Sequence, residues 1–314
     1  MVLSIYEFDK VCLPPTRNEV MICNSSTNSE EVRLFLNRAL ADPNSYYCMV
    51  NCHLLNYDVC RVIEDRLGNT ADDTVKNYGL AFLYAEEKRD ARIRAILESY
   101  LVKNPAQADI QQLQKYLAKT LLKIPSRTKS AGKVDPDELL CRSFARLIRS
   151  TRAGVGKSLH KKNLCAAVRA NKDLSGKDIT IPVYKTVDTD VIIKRLNDDL
   201  GNGYGVNCYH TIHFDIAHEV KSGVDELLFN LIILKSLVNS EGVVWQAQPT
   251  QYYIIECMPY TKEGRSVHEL MDLLPTTMCH SPCEELRQPT KSSQVYSYLI
   301  LSYSTILIPY LIIF

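Results

Sequence analysis

An α/β fold, with parallel strands alternating with helices, follows from two features of the 314-residue sequence. Short apolar, β-branched runs alternate with amphipathic helical stretches through both halves of the chain. Between one such run (144–148) and the helical pattern at 159–170 lies Ser150-Thr151-Arg152-Ala153-Gly154-Val155-Gly156-Lys157-Ser158-Leu159. Strand, glycine-bearing turn ending in Gly-Lys-Ser, then helix is the context of a phosphate-binding loop. The expected architecture is therefore a P-loop αβα sandwich, preceded by a partial α/β module and a helical segment.

The first half supports this element by element. Residues 1–16 have no clear periodicity and read as a lead-in. Residues 18–23 suit a strand, and Ser25-Ser26-Thr27-Asn28-Ser29 offers N-caps. Val32, Phe35, Leu36 and Leu40 then stripe a helix over 30–40, which Asp42-Pro43-Asn44 stops. Strands at 46–50 and 78–84 flank a helix at 57–67 carrying Val59, Val62, Ile63 and Leu67. Two helices follow, 86–101 and 108–122. The polar, basic stretch 123–137 contains Pro125, Gly132 and Pro136 and reads as a linker between a segment 17–122 and a module 138–285.

After the helix at 159–170, a strand is expected at 178–184. Pro182 there suits a sheet edge. A helix at 189–200 ends at Gly201-Asn202-Gly203. A strand at 208–214 closes on Asp215, residues 227–237 are apolar and helical in length, and a strand at 251–255 ends at Glu256.

The chemistry follows from residue types. Main-chain N–H groups of the turn and of the helix N-terminus converge on phosphate oxygens. Gly154 and Gly156 allow close approach and positive φ. Lys157 reaches the β/γ oxygens of ATP, and the Ser158 hydroxyl ligates Mg²⁺. Val155 and Leu159 complete the main-chain cradle. The full motif has glycine where this chain has Thr151. A second acidic group must orient the metal from a strand end beside the loop. Asp215 is preferred, because one strand–helix unit then intervenes, and Glu256 is the competitor. Asp215 is followed by Ile216 and Glu256 by Cys257, so no Asp-Glu pair supplies a base. Binding of ATP with weak or no hydrolysis is expected.

Other clusters have plainer readings. Net charge is +1, which argues against a general nucleic-acid or membrane-surface binder. Eleven cysteines without a signal peptide read as free thiols of a reducing, cytoplasmic compartment. Cys48-x-x-x-Cys52-His53 and Cys279-His280-x-x-Cys283 are close pairs, but neither has zinc spacing. His210, His213 and His218 flank the Asp215 strand end and read as satisfied or surface histidines rather than ligands.

Arg152–Leu159, His213-Phe214-Asp215-Ile216-Ala217, residues 225–234 and Tyr253-Ile254-Ile255-Glu256 together resemble the mysterin family. Leu270-Met271-Asp272-Leu273-Leu274-Pro275 and residues 30–40 add to the resemblance, which covers about 17–285. Mysterin is a giant RING-finger E3 ubiquitin ligase with a dynein-like core of AAA+ modules. Some of those modules hydrolyse ATP and others bind it statically or not at all. The resemblance implies an AAA+ nucleotide-binding module at 138–285, part of a preceding module at 17–122, adjoining AAA+ modules as partners, and a role in ubiquitin transfer. The chain carries no RING pattern and is far shorter than the family, so it looks like a fragment. Residues 295–314 contain no charge. About twenty apolar residues can span a bilayer, yet Ser297, Ser302, Ser304, Thr305 and Pro309 interrupt them, and a non-native tail is the preferred reading over an anchor. The alternatives are a non-enzymatic α/β interaction module with an incidental Gly-x-Gly-Lys-Ser turn, and a stand-alone membrane-tethered NTPase.

Overall fold

The computed structural model describes residues 1–8, 14–70, 79–84, 92–98, 101–102, 108–121, 144–150, 154–169, 176–200, 210–248, 250–257, 268–279 and 310–313. They fall into two compact units, residues 1–109 with 298–314 and residues 110–297.

The first unit begins with a helix the aperiodic lead-in did not announce, α1 (Val2–Phe8). Strand β1 (Val20–Ile22), helix α2 (Ser29–Ala41), strand β2 (Tyr46–Val50), helix α3 (Tyr57–Thr70) and strand β3 (Gly79–Tyr84) follow at the expected places. The start of α2 is set by a capping box. Asn28 Oδ1 accepts from the Glu31 N–H at 2.9 Å, and the Glu31 carboxylate accepts from the Asn28 N–H at 3.1 Å. The predicted stripe of α2 is buried at Val32, Phe35 and Leu36. These pack with Val59, Ile63, Leu80 and Phe82 in one core, each large apolar side chain worth roughly 1.5–3 kcal/mol on burial. β1, β2 and β3 pair in parallel, as strand–helix–strand connections require.

The helix expected at 86–101 is reduced among the described residues to α4 (Arg92–Ile96), followed by a short strand, β4 (Leu101–Val102). Leu101 and Val102 extend because they pair with another strand, a non-local constraint that local periodicity cannot register. Residues 86–91 and 99–100 lie outside the described residues.

The second unit starts with α5 (Ile110–Leu121). Its Leu113, Leu117 and Leu121 are buried, and the Gln114 amide donates to the Asp272 carbonyl at 2.8 Å. The linker proposed at 123–137 lies outside the described residues. Next come β5 (Phe144–Ser150), α6 (Lys157–Arg169), β6 (Asp178–Val183), α7 (Thr189–Leu200) and β7 (His210–Ile216). The apolar run at 227–237 is not one helix. Helix α8 (Val224–Leu228) passes into a single wide turn, Phe229–Ile233, and the chain then extends as β8 (Ser236–Val238). Lys235, at φ 58°, reverses the backbone between them, and its amine donates to the Ile232 carbonyl. β8 pairs antiparallel with β9 (Val244–Gln246), placing Leu237 opposite Trp245, around a turn in which Asn239 Oδ1 accepts from the Val243 N–H at 2.6 Å. Length and apolarity suggest a helix; the hairpin partner, six to ten residues on, decides otherwise.

The unit closes with β10 (Gln251–Cys257), α9 (Glu269–Leu273) and β11 (Thr276–Cys279). Its five-stranded sheet runs β11-β5-β10-β7-β6, all parallel. β6 is an edge strand, as Pro182 demands. The last described segment, β12 (Tyr310–Ile313), lies in the first sheet, antiparallel to both β3 and β4. Residues 295–309 of the apolar tail lie outside the described residues. Among the described residues no helix is long and apolar enough to cross a membrane.

Candidate functional site

β5 leads into the glycine turn and the turn into α6, as strand–turn–helix geometry requires. Gly154 and Gly156 have φ of 75° and 90°, the left-handed region that disfavours residues with a Cβ. No other atom lies within 4 Å of where a Cβ would stand on either glycine, so backbone conformation, not crowding, selects glycine there. The first helical bond runs from the His160 N–H to the Gly156 carbonyl at 2.9 Å. Thr151, Arg152 and Ala153 lie outside the described residues.

Lys157 opens α6, and its side chain is only 5% exposed. Its amine ion-pairs with Glu256 Oε1 at 3.2 Å and donates to the Cys257 carbonyl at 3.2 Å. The strand immediately beside β5 is therefore the one carrying Glu256. Asp215 stands one strand further away, and the two carboxylate-bearing residues are register partners, Glu256 opposite Asp215. Counting strand–helix units along the chain favours Asp215, whereas adjacency in the sheet favours Glu256. The two criteria diverge because β10 inserts between β5 and β7.

Glu256 has a second partner. Its Oε2 lies 3.2 Å from His213 Nε2, while His213 Nδ1 lies 3.2 Å from the Lys161 amine and 3.4 Å from Thr180 Oγ1. A lysine amine in its charged form can only donate, so Nδ1 accepts and the ring proton sits on Nε2, donating to Glu256. The hydrogen bond from His213 holds the Glu256 carboxyl below its ordinary value, assisted by the Lys157 charge and opposed by burial. Register explains why these residues meet. Thr180 pairs with His213, and His213 with Ile254. Register partners share a face of a sheet, and so do residues two apart on a strand. Thr180, His213, Asp215 and Glu256 thus form one polar stripe on the face that Lys157 reaches.

The remaining predicted residues lie where the loop puts them. Val155 is half-buried, Ser158 and Leu159 are exposed, and Asp215 is half-buried. His210 is a satisfied histidine whose Nδ1 accepts from the Lys177 N–H at 3.3 Å, with burial lowering its pKa; His218 is exposed. His213 is the site residue that sequence reasoning passed over. Its signal was its place two residues before Asp215 on a strand, which fixes a common face.

The cysteines behave as apolar side chains. Cys165 packs with Ile148 and Ile254, with Cys279 against them, and Cys48 and Cys52 are buried in the first unit. His280 and Cys283 lie outside the described residues, and no group of three metal-ligating side chains occurs among the described ones. Arg149, nearly buried near the end of β5, ion-pairs with Asp272 of α9 at 2.9 Å. Beside the stripe lies a cavity of about 160 Å³ bordered by Lys161, Lys162, Thr180, Thr211 and His213.

Comparison with known proteins agrees with this layout. Residues 141–286 match a family model described as an RNF213 AAA domain, and residues 1–102 match a second model of the same description. The human E3 ubiquitin-protein ligase RNF213 is 27% identical over 289 residues, covering 86% of this chain and 5% of that protein. The zebrafish (Danio rerio) E3 ubiquitin-protein ligase rnf213-beta is 25% identical over 294 residues, covering 91% of this chain and 6% of that protein. Among solved structures, the ADP form of the Aeropyrum pernix ORC2 protein covers 59% of this chain, and this chain 52% of it, at 13% identity and a TM-score of 0.28, too low to bear on the fold. The chain thus spans about a twentieth of the length of its curated relatives. With both of its units matched and a parallel sheet built around a glycine-lysine turn, the chain belongs to the RNF213 family and carries that family's AAA domains, the mysterin type its motifs resembled.

Proposed function

We propose that residues 138–285 form an ATP–Mg²⁺-binding AAA+ module, in a cytoplasmic protein, with weak or no hydrolysis. The observation that carries this is the buried Lys157 amine, delivered by two left-handed glycines to the acidic end of the adjacent strand. In this reading the main-chain N–H groups from Gly154 to Leu159 hold the phosphates and Lys157 neutralises them. The donor set at the strand ends fits a hard divalent cation: the Ser158 hydroxyl is exposed, and Asp215 and Glu256 offer carboxylates. Mg²⁺ bound there supplies charge neutralisation at the phosphates. Weak turnover is the reading because Asp215 is followed by the buried Ile216, while the Glu256 carboxylate is engaged by Lys157 and His213.

The module then serves as a static or regulatory part of a longer chain, beside adjoining AAA+ modules, in ubiquitin transfer. Isothermal titration of the full chain with ATP and Mg²⁺ tests the reading. Saturable binding, abolished in Lys157→Ala, is expected. An unchanged titration in that variant identifies the turn as incidental and the chain as an interaction module. Single-turnover hydrolysis at the rate of ordinary active ATPases overturns the static part alone.

A further inference from the structure

The phosphate-loop lysine already has a carboxylate partner. Lys157 is buried and Glu256 half-buried, their side chains 5% and 13% exposed, with the amine and Oε1 3.2 Å apart. The single positive charge of Lys157 is thereby offset before any phosphate arrives. The rest of the stripe adds no surplus. Lys161 sits against His213, Asp215 lies in register with Glu256, and the His213 ring donates Nε2–H to Glu256 while accepting at Nδ1. Among the described residues of the stripe, the amines of Lys157 and Lys161 are matched in number by the carboxylates of Glu256 and Asp215.

A polyphosphate needs net positive charge. Lys157 gives it this only by leaving Glu256, and the carboxylate it leaves would be partly buried with one remaining side-chain partner, His213. Like charges a few ångströms apart in such a setting repel strongly. Glu256 must then find another cation.

We propose that Glu256 makes nucleotide capture at this loop conditional on a divalent cation, by holding Lys157 until the metal takes over its counter-charge role. The inference rests on the nucleotide-binding reading above and adds to it a residue that rejects metal-free nucleotide. By linkage, metal and nucleotide each tighten the other's binding by the same factor. Glu256 sets that factor through its charge, and His213 limits it through the proton on Nε2.

The test is calorimetric titration of the full chain with ATP, once with Mg²⁺ and once with EDTA. Wild type is expected to bind about ten- to a hundredfold more weakly without the metal. Glu256→Gln keeps a hydrogen-bonding side chain but removes the charge, so its metal-free affinity should rise until the two conditions differ only a few-fold. His213→Ala removes the donor that shares the Glu256 charge and should widen the gap instead. Thermal melts establish that each variant is folded. If Glu256→Gln does not fold, His213→Ala decides, since an unchanged gap there contradicts the inference. Equal binding with and without Mg²⁺ in wild type, or a Glu256→Gln gap as wide as wild type, overturns the inference and leaves the nucleotide reading standing. No binding by wild type or Glu256→Gln under either condition removes both.

Discussion

The two units solve the same structural problem and end with different chemistry. Both are built on parallel strands linked by helices, β1 to β3 in one and β5 to β7 with β10 in the other. In the first, β2 ends at Val50, after which Asn51 alone takes a left-handed conformation and Cys52 turns back into the core. In the second, β5 ends at a turn with two left-handed glycines and a lysine. The first unit's sheet buries Cys48, Met49, Leu80 and Phe82. The second aligns Thr180, His213 and Glu256 across three strands. A parallel α/β scaffold therefore carries no site of its own. The site comes from a few polar residues set in register at the strand ends, whose burial is tolerated because each meets an opposite charge or a hydrogen-bond partner.

The contrast is broken most strongly by a core truncation. Phe82→Ala should destabilise the first unit by about 3–5 kcal/mol, seen as an early chemical-denaturation transition, while ATP affinity at the second unit stays within twofold. A parallel loss of nucleotide binding would mean that the units do not act separately. Next, Lys157→Ala removes a charge-assisted bond of about 1.5–3 kcal/mol and leaves the half-buried Glu256 with His213. Titration should show at least about a tenfold loss of ATP affinity, and the first unit's transition should not move.

A smaller effect is expected from Asn28→Ala, which deletes the α2 capping box at a cost of about 1 kcal/mol. Hydrogen exchange should rise in the first turn of α2 and stay constant in α6. The mildest test is pH. Glu256 has a lowered pKa in the folded state, so its contribution is present above the ordinary glutamate value of 4.5 and is lost as pH falls through the lower folded value. Cys48 is the opposite case. Burial raises its thiol pKa, so its contribution is present below the ordinary 9.0 and is lost as pH rises beyond it. Acid melts should thus be softened in the second unit by Glu256→Gln, and alkaline melts in the first by Cys48→Ala. If either variant leaves its melt profile against pH unchanged, that group is not the titrating one.

Much of this molecule was legible residue by residue. The stripes of α2 and α3, an N-cap within Ser25–Ser29, the edge position of Pro182 and the glycine-lysine turn between a strand and a helix all rest on spacings of one to eight residues. Backbone sterics and helix periodicity act over that range. Where reading failed, the deciding partner was distant or unapparent. Residues 227–237 were helical by length, and the β9 partner of Ser236–Val238 made a hairpin. Leu101 closes the helix expected at 86–101, and β12, some two hundred residues away, makes Leu101 and Val102 a strand.

The candidate site divides along the same line. Local order alone indicates a glycine turn carrying Lys157 between a strand and a helix, and Asp215 and Glu256 near strand ends. Which carboxylate meets the lysine was a matter of sheet order, because parallel strands are joined by crossovers whose neighbours are not neighbours in sequence. The insertion of β10 between β5 and β7 placed Glu256 at Lys157, and register then drew in His213, a residue with no motif to announce it. Short-range chemistry wrote the parts of this site, and long-range pairing chose which of them touch.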